Sequence, residues 1–174
     1  MRYFKGFTLI ELLVVIAVVG VLAGAVIAII NPGAQLGRAR DAKRKADIHA
    51  IKQALEEYVV INGSYPNTGS VSTWVYSTGG ATWIPGLTAT YMSVIPKDPI
   101  NNLAGPWTVA SDNYSYAYGS NGLHYNLVAR LESKQDPDRC EIKLWFFITG
   151  ASGTGVAWCP TYSNYIYSIT DLNK

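Results

Sequence analysis

Three patterns of hydrophobic and polar positions follow one another along the chain. From Phe7 to Ile30 there are twenty-four residues with no charge except Glu11. At helical rise such a run spans roughly 36 Å, enough for a hydrocarbon core of about 30 Å, so the pattern predicts a membrane-capable helix. A removable secretory signal has an apolar region of about 7 to 15 residues and ends in a small-residue cleavage site; neither condition holds here. "GVLAG" sets Gly20 and Gly24 four apart, with Ala28 continuing the row, a small-xxx-small face that permits close helix packing and also arises by chance in apolar segments.

At "NPGAQLG" the run ends. Pro32 lacks an amide donor and Gly33 loosens the backbone, so a kink near Asn31 and Pro32 is predicted. Helical periodicity resumes from Ala34 to about Ile61 and stops at "NGSYP", where Gly63 suits a left-handed cap and Pro66 follows shortly. Projected at 100° per residue, this amphipathic segment separates two stripes. Leu36, Ala39, Ala42, Ala46, Ala50 and Ala54 form one of mostly small residues, whereas Ile48, Ile51, Leu55, Tyr58 and Val59 form a bulky one that begins later. Two stripes imply two partners: the protein's own sheet for the bulky one, and another subunit's helix for the small one.

From Ser64 onward the pattern turns to short alternating runs among Gly, Pro, Ser, Thr and Tyr. "NYSYAYGS" puts Tyr114, Tyr116 and Tyr118 on one face, "LHYNLVARLE" does so for Leu123, Tyr125, Leu127, Ala129 and Leu131, and "IKLWFFI" reads as a buried strand. These predict an antiparallel meander whose apolar face the bulky helical stripe covers. Residues 71–107, with Trp74, Trp83 and four prolines, read as loops with room for one hairpin. The fold class is therefore α+β, a long N-terminal helix on a small antiparallel sheet. The divisions are 1–6, 7–30, 31–63 and a β-rich head at 64–174.

Composition adds little to this picture except at the cysteines. A net charge of +2 argues neither for nucleic acid nor for an acidic partner. Cys140 and Cys159, an even count beyond a membrane segment, point to a disulfide in an oxidising compartment, with two reduced buried thiols as the other reading. "TGASGTG" reads as a hairpin loop, and a turn centred at Gly150 aligns the two cysteines while a later one does not.

Candidate chemistry is sparse. His49 and His124 are distant from one another, and "GASGT" misses the nucleophile-elbow pattern because Thr154 replaces the final glycine, so no enzyme is expected. "ESKQDPDRCE" clusters Glu132, Asp136, Asp138 and Glu141 near a turn; calcium prefers such oxygen ligands, but the spacing matches no full loop motif and a solvated turn is the favoured reading. Asp136 and Asp138 stand as weak calcium candidates, and no cofactor is expected. In "GRARDAKRK" the charges scatter around the helix axis, interrupted by Asp41 and Asp47, unlike a phosphate-tracking stripe; a helix-surface role is expected, not nucleic-acid binding.

The segment "KGFTLIELLVVIAVVGVLAGAVIAIINP" closely resembles the class III signal of type IV filament subunits, the type IV pilins and type II secretion pseudopilins. A short basic leader, a glycine before the apolar run, phenylalanine next and glutamate fifth from that phenylalanine carry the resemblance. It implies that a membrane prepilin peptidase cuts after Gly6, that Phe7 becomes an N-methylated N-terminus, and that Glu11 is the assembly glutamate. A charge at this depth in lipid is unfavourable, and the Phe7 amine of a neighbouring subunit would offset it only at the correct axial stagger. Further on the resemblance is looser: "NGSYP", "IPKDP" and the strands ending in "LVARLE" look like the body of major pseudopilins. The family's calcium-loop carboxylates have no residue-by-residue counterpart, and the Cys140 and Cys159 pair resembles the disulfide-closed terminal region of type IVa pilins.

The resemblance implies a structural subunit of a pilus-like or pseudopilus-like filament. Its expected partners are copies of itself and related pilins, prepilin peptidase, an inner-membrane assembly platform, and the lipid bilayer before assembly. The alternatives are a membrane-anchored extracytoplasmic binding protein and a minor pilin for DNA uptake or adhesion. Arg2 and Lys5 upstream against Arg38, Arg40, Lys43, Arg44 and Lys45 downstream would by charge count keep the head in the cytoplasm. The resemblance implies the reverse, a single pass with the N-terminus inside. That orientation is adopted because the basic cluster starts well past the apolar end.

Overall fold

The computed structural model describes residues 6–69, 73–106, 112–133, 135–138 and 165–170. Cys140, Cys159, Glu141, the "IKLWFFI" run and the "TGASGTG" loop lie outside the described residues. The chain divides into two compact units, Met1–Gly37 and Arg38–Lys174.

The first unit contains α1 (Leu9–Ile30) and the start of α2 (Pro32–Asn62). The window Leu9–Val26 has a mean hydropathy of 2.8, long and apolar enough to cross a membrane, and all its residues are exposed. Asn31 separates the two helices in a left-handed conformation, φ 47°. Its Oδ1 accepts a hydrogen bond from the Ala34 amide at 3.3 Å, as an N-cap does. Pro32 is then the first residue of α2, where its missing N–H has no helical partner to lose. The interruption therefore belongs to Asn31, and Pro32 starts the new helix with a favourable φ.

In the second unit a four-stranded antiparallel sheet runs in the order β1 (Val75–Tyr76), β2 (Ala117–Ser120), β3 (Tyr125–Leu131), β4 (Tyr165–Thr170). Consecutive strands are neighbours, which makes it a meander. The β2–β3 register sets Ala117 opposite Val128 and Ser120 opposite Tyr125. Helix α2 stops where Gly63, at φ 75°, donates its amide to the Val59 carbonyl at 2.8 Å. Tyr65 then donates to the Gly122 carbonyl at 2.8 Å, which ties the helix exit to the β2–β3 turn.

Ile48, Ile51 and Leu55 of α2 are fully buried in one apolar cluster with Tyr116, Tyr118, Tyr125, Leu127 and Ala129 of the sheet side. Tyr58 and Val59 pack at its margin. The bulky stripe is the core face, and the small stripe stays largely outside: Leu36, Ala39, Ala42 and Ala46 are exposed, although Ala54 joins the core. The hydroxyls of buried Tyr116 and Tyr118 reach partners: Tyr116 donates to Asp47 at 2.9 Å and Tyr118 to the Pro66 carbonyl at 2.8 Å, and the Tyr118 ring stacks on Tyr125 at 6.2 Å.

Two details depart from the alternation read in the sequence. Leu123 falls in the β2–β3 turn and is exposed, not on the strand face. All seven residues of β3 are buried, including Asn126, Val128 and Arg130, which alternate with the core-facing Tyr125, Leu127, Ala129 and Leu131. Residues 73–106 are more ordered than a loop reading implies. Their Val75–Tyr76 pair is the edge strand, bonded to β2 some forty residues later instead of to a local hairpin partner. Trp83, Ile84, Leu87 and Ile95 are core residues, and the Trp83 indole donates to the Pro96 carbonyl at 3.1 Å. Gly86, at φ 76°, lies so close to Tyr58 that a Cβ would stand 3.1 Å from its hydroxyl.

Because Ile51 and Leu55 sit at the centre of this cluster, Leu55→Ala is expected to destabilise the protein by about 2–5 kcal/mol, and exposed Val60→Ala by less than about 0.5. Denaturant unfolding of the full chain in detergent micelles, followed by tryptophan fluorescence, measures both. Equal midpoints for the two variants would contradict the assignment of the core face.

Candidate assembly site and the charged face of α2

The first turn of α1 holds the assembly candidates. Thr8 is the N-cap, in extended conformation, and its Oγ1 accepts from the Glu11 amide at 3.3 Å. Glu11 Oε2 accepts in return from the Thr8 amide at 3.2 Å and the Thr8 hydroxyl at 3.1 Å. This reciprocal pair is a capping box, which satisfies amides that the helix leaves without intrahelical partners. Glu11 is thus neither free nor aimed at random. Its carboxylate is held at the positive end of the helix dipole, and with about four lone-pair sites it retains capacity for a further donor. Thr8 was not singled out from the sequence, although "TLIE" is the signature of such a box.

Gly6 and Phe7 precede the cap and are exposed. Gly20 and Gly24 lie one turn apart on α1, and beyond the local helix backbone no atom comes within 4 Å of the position a Cβ would take at either. Pro32 occupies the helix junction described above.

A second constellation lies on the basic segment of α2. Arg44 is fully buried. Its Nε and Nη2 donate to the two carboxylate oxygens of Asp98 at 2.7 and 3.1 Å, and Nη1 donates to Asp41 at 2.8 Å and Glu132 at 2.7 Å. Arg40 completes the set with bonds of 2.7 and 2.5 Å to Glu132. Asp41 in turn accepts the amides of Glu132 and Ser133 at 2.9 and 2.8 Å, while Asp98 accepts those of Ile100 and Asn101 at 2.8 and 3.3 Å. The guanidiniums of Arg44 and Arg130 both lie over the Tyr114 ring, at 4.7 and 5.3 Å. One helical face thereby clasps the end of β3 and the "IPKDP" loop.

Lys45, next along, places its ammonium 2.6 Å from Asp136 and 2.5 Å from Asp138. The acidic turn is therefore not simply solvated, and the basic run is not simply a helix surface. Periodicity misplaced Arg44 and Asp41 because charged residues are almost never fully buried unless paired, and their partners are distant in sequence. The local signals available were the Asp41–Arg44 spacing of three and the aspartate within "IPKDP".

Ionisation follows from these contacts. Burial disfavours the charged Arg44 side chain, but Asp98, Glu132 and Asp41 outweigh it and raise its pKa. Burial likewise pushes Glu132 up, yet hydrogen bonds from Arg40 and Arg44 prevail and hold its carboxyl below the ordinary 4.5. Lys45 loses by burial and gains more from Asp136 and Asp138, so it too is raised. The Tyr116 hydroxyl is pushed up by burial and by Asp47, to which it donates at 2.9 Å. Among the described residues, no three His, Cys, Asp or Glu side chains converge as metal ligands do.

An exposed apolar helix with an acidic first-turn cap, followed by a second helix that packs on a small antiparallel meander, defines the pilin-like class of α+β proteins. Residues 1–27 match the prokaryotic N-terminal methylation motif, and residues 33–130 match the family described as type II secretion system (T2SS), protein G. The chain belongs to that protein G family. It is 35% identical to the type II secretion system core protein G of Escherichia coli (strain K12) over 105 residues, 56% of this chain and 68% of the relative. To the core protein G of Pseudomonas aeruginosa it is 39% identical over 67 residues, 38% of this chain and 46% of the relative. No solved structure gives a significant match.

Removing Arg44 leaves Asp98 and Asp41 buried without their cation. Arg44→Met is therefore expected to lose about 3–5 kcal/mol of stability in urea unfolding, against less than about 1 kcal/mol for Lys43→Met on the exposed side. Acid acts on the same cluster. Glu132 has a folded pKa below its unfolded one, so its stabilisation is complete above about 4.5 and is lost as pH falls through the folded value. The thermal midpoint is expected to drop on acidification below pH 4.5, and by less in Glu132→Gln, whose midpoint starts lower.

Proposed function

We propose that this chain is a non-enzymatic structural subunit of a type II secretion pseudopilus-like filament, cleaved by prepilin peptidase and assembled through its N-terminal helix. The observation that carries this reading is the Glu11 carboxylate, in the first turn of a helix whose window Leu9–Val26 is otherwise apolar and wholly exposed. Residues 1–6 act as the leader, 7–30 as anchor and then filament core, 31–63 as amphipathic continuation and 64–174 as the head. Membership in the protein G family and the N-terminal methylation motif support it.

Cleavage after Gly6 leaves the helix attached to the product and creates an amine at Phe7, which is then methylated. Both members of the capping box lie downstream of the cut, so the box survives processing. The new amine stands one residue before the N-cap. Glu11 presents its remaining acceptor capacity to the amine of an adjacent subunit, and the pair forms only at one axial stagger. Its strength comes from lipid: an acidic group at a helix centre costs about 2.5–3.5 kcal/mol on insertion scales and less near an interface, and pairing recovers part of that.

Assembly exchanges lipid contact along α1 for helix contact, which Gly20 and Gly24 permit at short range. The exposed small stripe of α2 likewise permits close approach of another subunit's helix. The N-terminal methylation motif and membership in the protein G family favour an outward head over the charge count. The head accordingly faces outward from the cytoplasmic membrane, with the N-terminus inside.

Glu11→Val is expected to be cleaved normally, as read by the gel shift between cells with and without prepilin peptidase, yet to yield no filaments by electron microscopy. Normal filaments from that variant would rule out the pairing. Ala46→Trp, on the exposed stripe, is expected to impair assembly while leaving the unfolding midpoint of the subunit unchanged.

A further inference from the structure

Four consecutive-turn residues of α2 grip one short segment of the head. Asp41 accepts the amides of Glu132 and Ser133, Arg40 and Arg44 hold the Glu132 carboxylate, and Lys45 reaches the carboxylates of Asp136 and Asp138. The segment is also folded on itself: the Asp138 amide donates to Asp136 Oδ1 at 3.0 Å. Two carboxylates two residues apart, brought to one point by a turn, repel one another, and a cation between them offsets that repulsion.

We infer that the ammonium of Lys45 is that cation, taking the position a divalent metal ion would fill, so that the acidic turn closes without calcium. The contacts are 2.6 and 2.5 Å, short charge-assisted hydrogen bonds. Calcium requires six to eight oxygen ligands at about 2.3–2.6 Å. Here the third carboxylate of the segment, Glu132, is committed to two arginines, and a metal ion set between Asp136 Oδ1 and Asp138 Oδ2 would have to displace Lys45. The lysine also supplies what a metal clip supplies. It joins residues 91 and 93 positions apart, and it does so from the helix face that already carries the buried arginine. The assignment concerns the folded subunit and holds independently of whether the chain assembles into a filament.

Thermal unfolding of the full chain in detergent micelles, with about 1 mM calcium chloride or with excess chelator, tests this. The wild-type midpoints are expected to coincide, and calorimetric titration of calcium into the wild type is expected to show no binding. In chelator, Lys45→Met is expected to melt several degrees lower, while Lys45→Arg keeps most of the wild-type midpoint. Should Lys45→Met fail to fold, the Asp136→Asn/Asp138→Asn double variant serves instead: adding Lys45→Met to it should change the midpoint by less than about 1 °C. A wild-type midpoint raised by calcium, or a Lys45→Met midpoint equal to that of the wild type in chelator, overturns the assignment.

Discussion

The head is organised around one buried cation. Arg44, with no exposed surface, is surrounded by Asp41, Asp98 and Glu132, and two of those carboxylates, Asp41 and Asp98, in turn anchor backbone amides of different segments. A guanidinium suits this position because its planar fork offers five donors and remains charged at any relevant pH. The energetic logic is asymmetric. A complete buried network adds modest net stability, since desolvation opposes the Coulomb attraction, but an incomplete one is strongly destabilising. The network thus excludes alternative dockings of the helix more than it strengthens the correct one. A slip of α2 by one residue would bring Lys43 or Lys45 to that position, and an ammonium lacks the planar fork that bonds Asp98 and Glu132 together.

Arg44 also explains the shape of the apolar stripe. Positions 44, 48, 51 and 55 follow the spacing of one helix face, and all four are buried. The bulky stripe begins at Ile48 because the preceding position of the same face is the arginine. Apolar packing and ion pairing are therefore successive parts of one contact surface, and they divide the sheet end between them: tyrosines and leucines meet the later turns, while the end of β3 and the Asp98 loop meet the earlier ones.

The N-terminal helix obeys a different constraint. Its exposed residues have no aqueous justification, and the lipid or a neighbouring helix must supply their environment. Within it, Glu11 is not the bare charge that a hydropathy reading implies. Thr8 shares its proton donors with the carboxylate, so the side chain is oriented before any neighbour arrives. Preorganisation of this kind reduces the entropy lost on any later pairing, which suits Glu11 to the axial role proposed for it.

Much of this was legible without coordinates where the signal is local. The apolar run, the break near Asn31 and Pro32, the bulky stripe of α2, the cap at Gly63 and the tyrosine-lined meander all follow from periodicity and from the backbone limits of Gly and Pro, which act over a few residues. The prepilin-type signal at Gly6, Phe7 and Glu11 was legible for the same reason. What the chain pattern left open depends on encounters between distant positions. Val75 and Tyr76 are a strand only because β2 pairs with them, Trp83 and Ile84 are core only because the helix covers them, and Arg44 and Lys45 are structural only because Asp98, Glu132, Asp136 and Asp138 come to meet them. A charge has no intrinsic preference for interior or surface apart from its partners, and partners some fifty to ninety residues away are set by the packed fold, not by the neighbouring sequence.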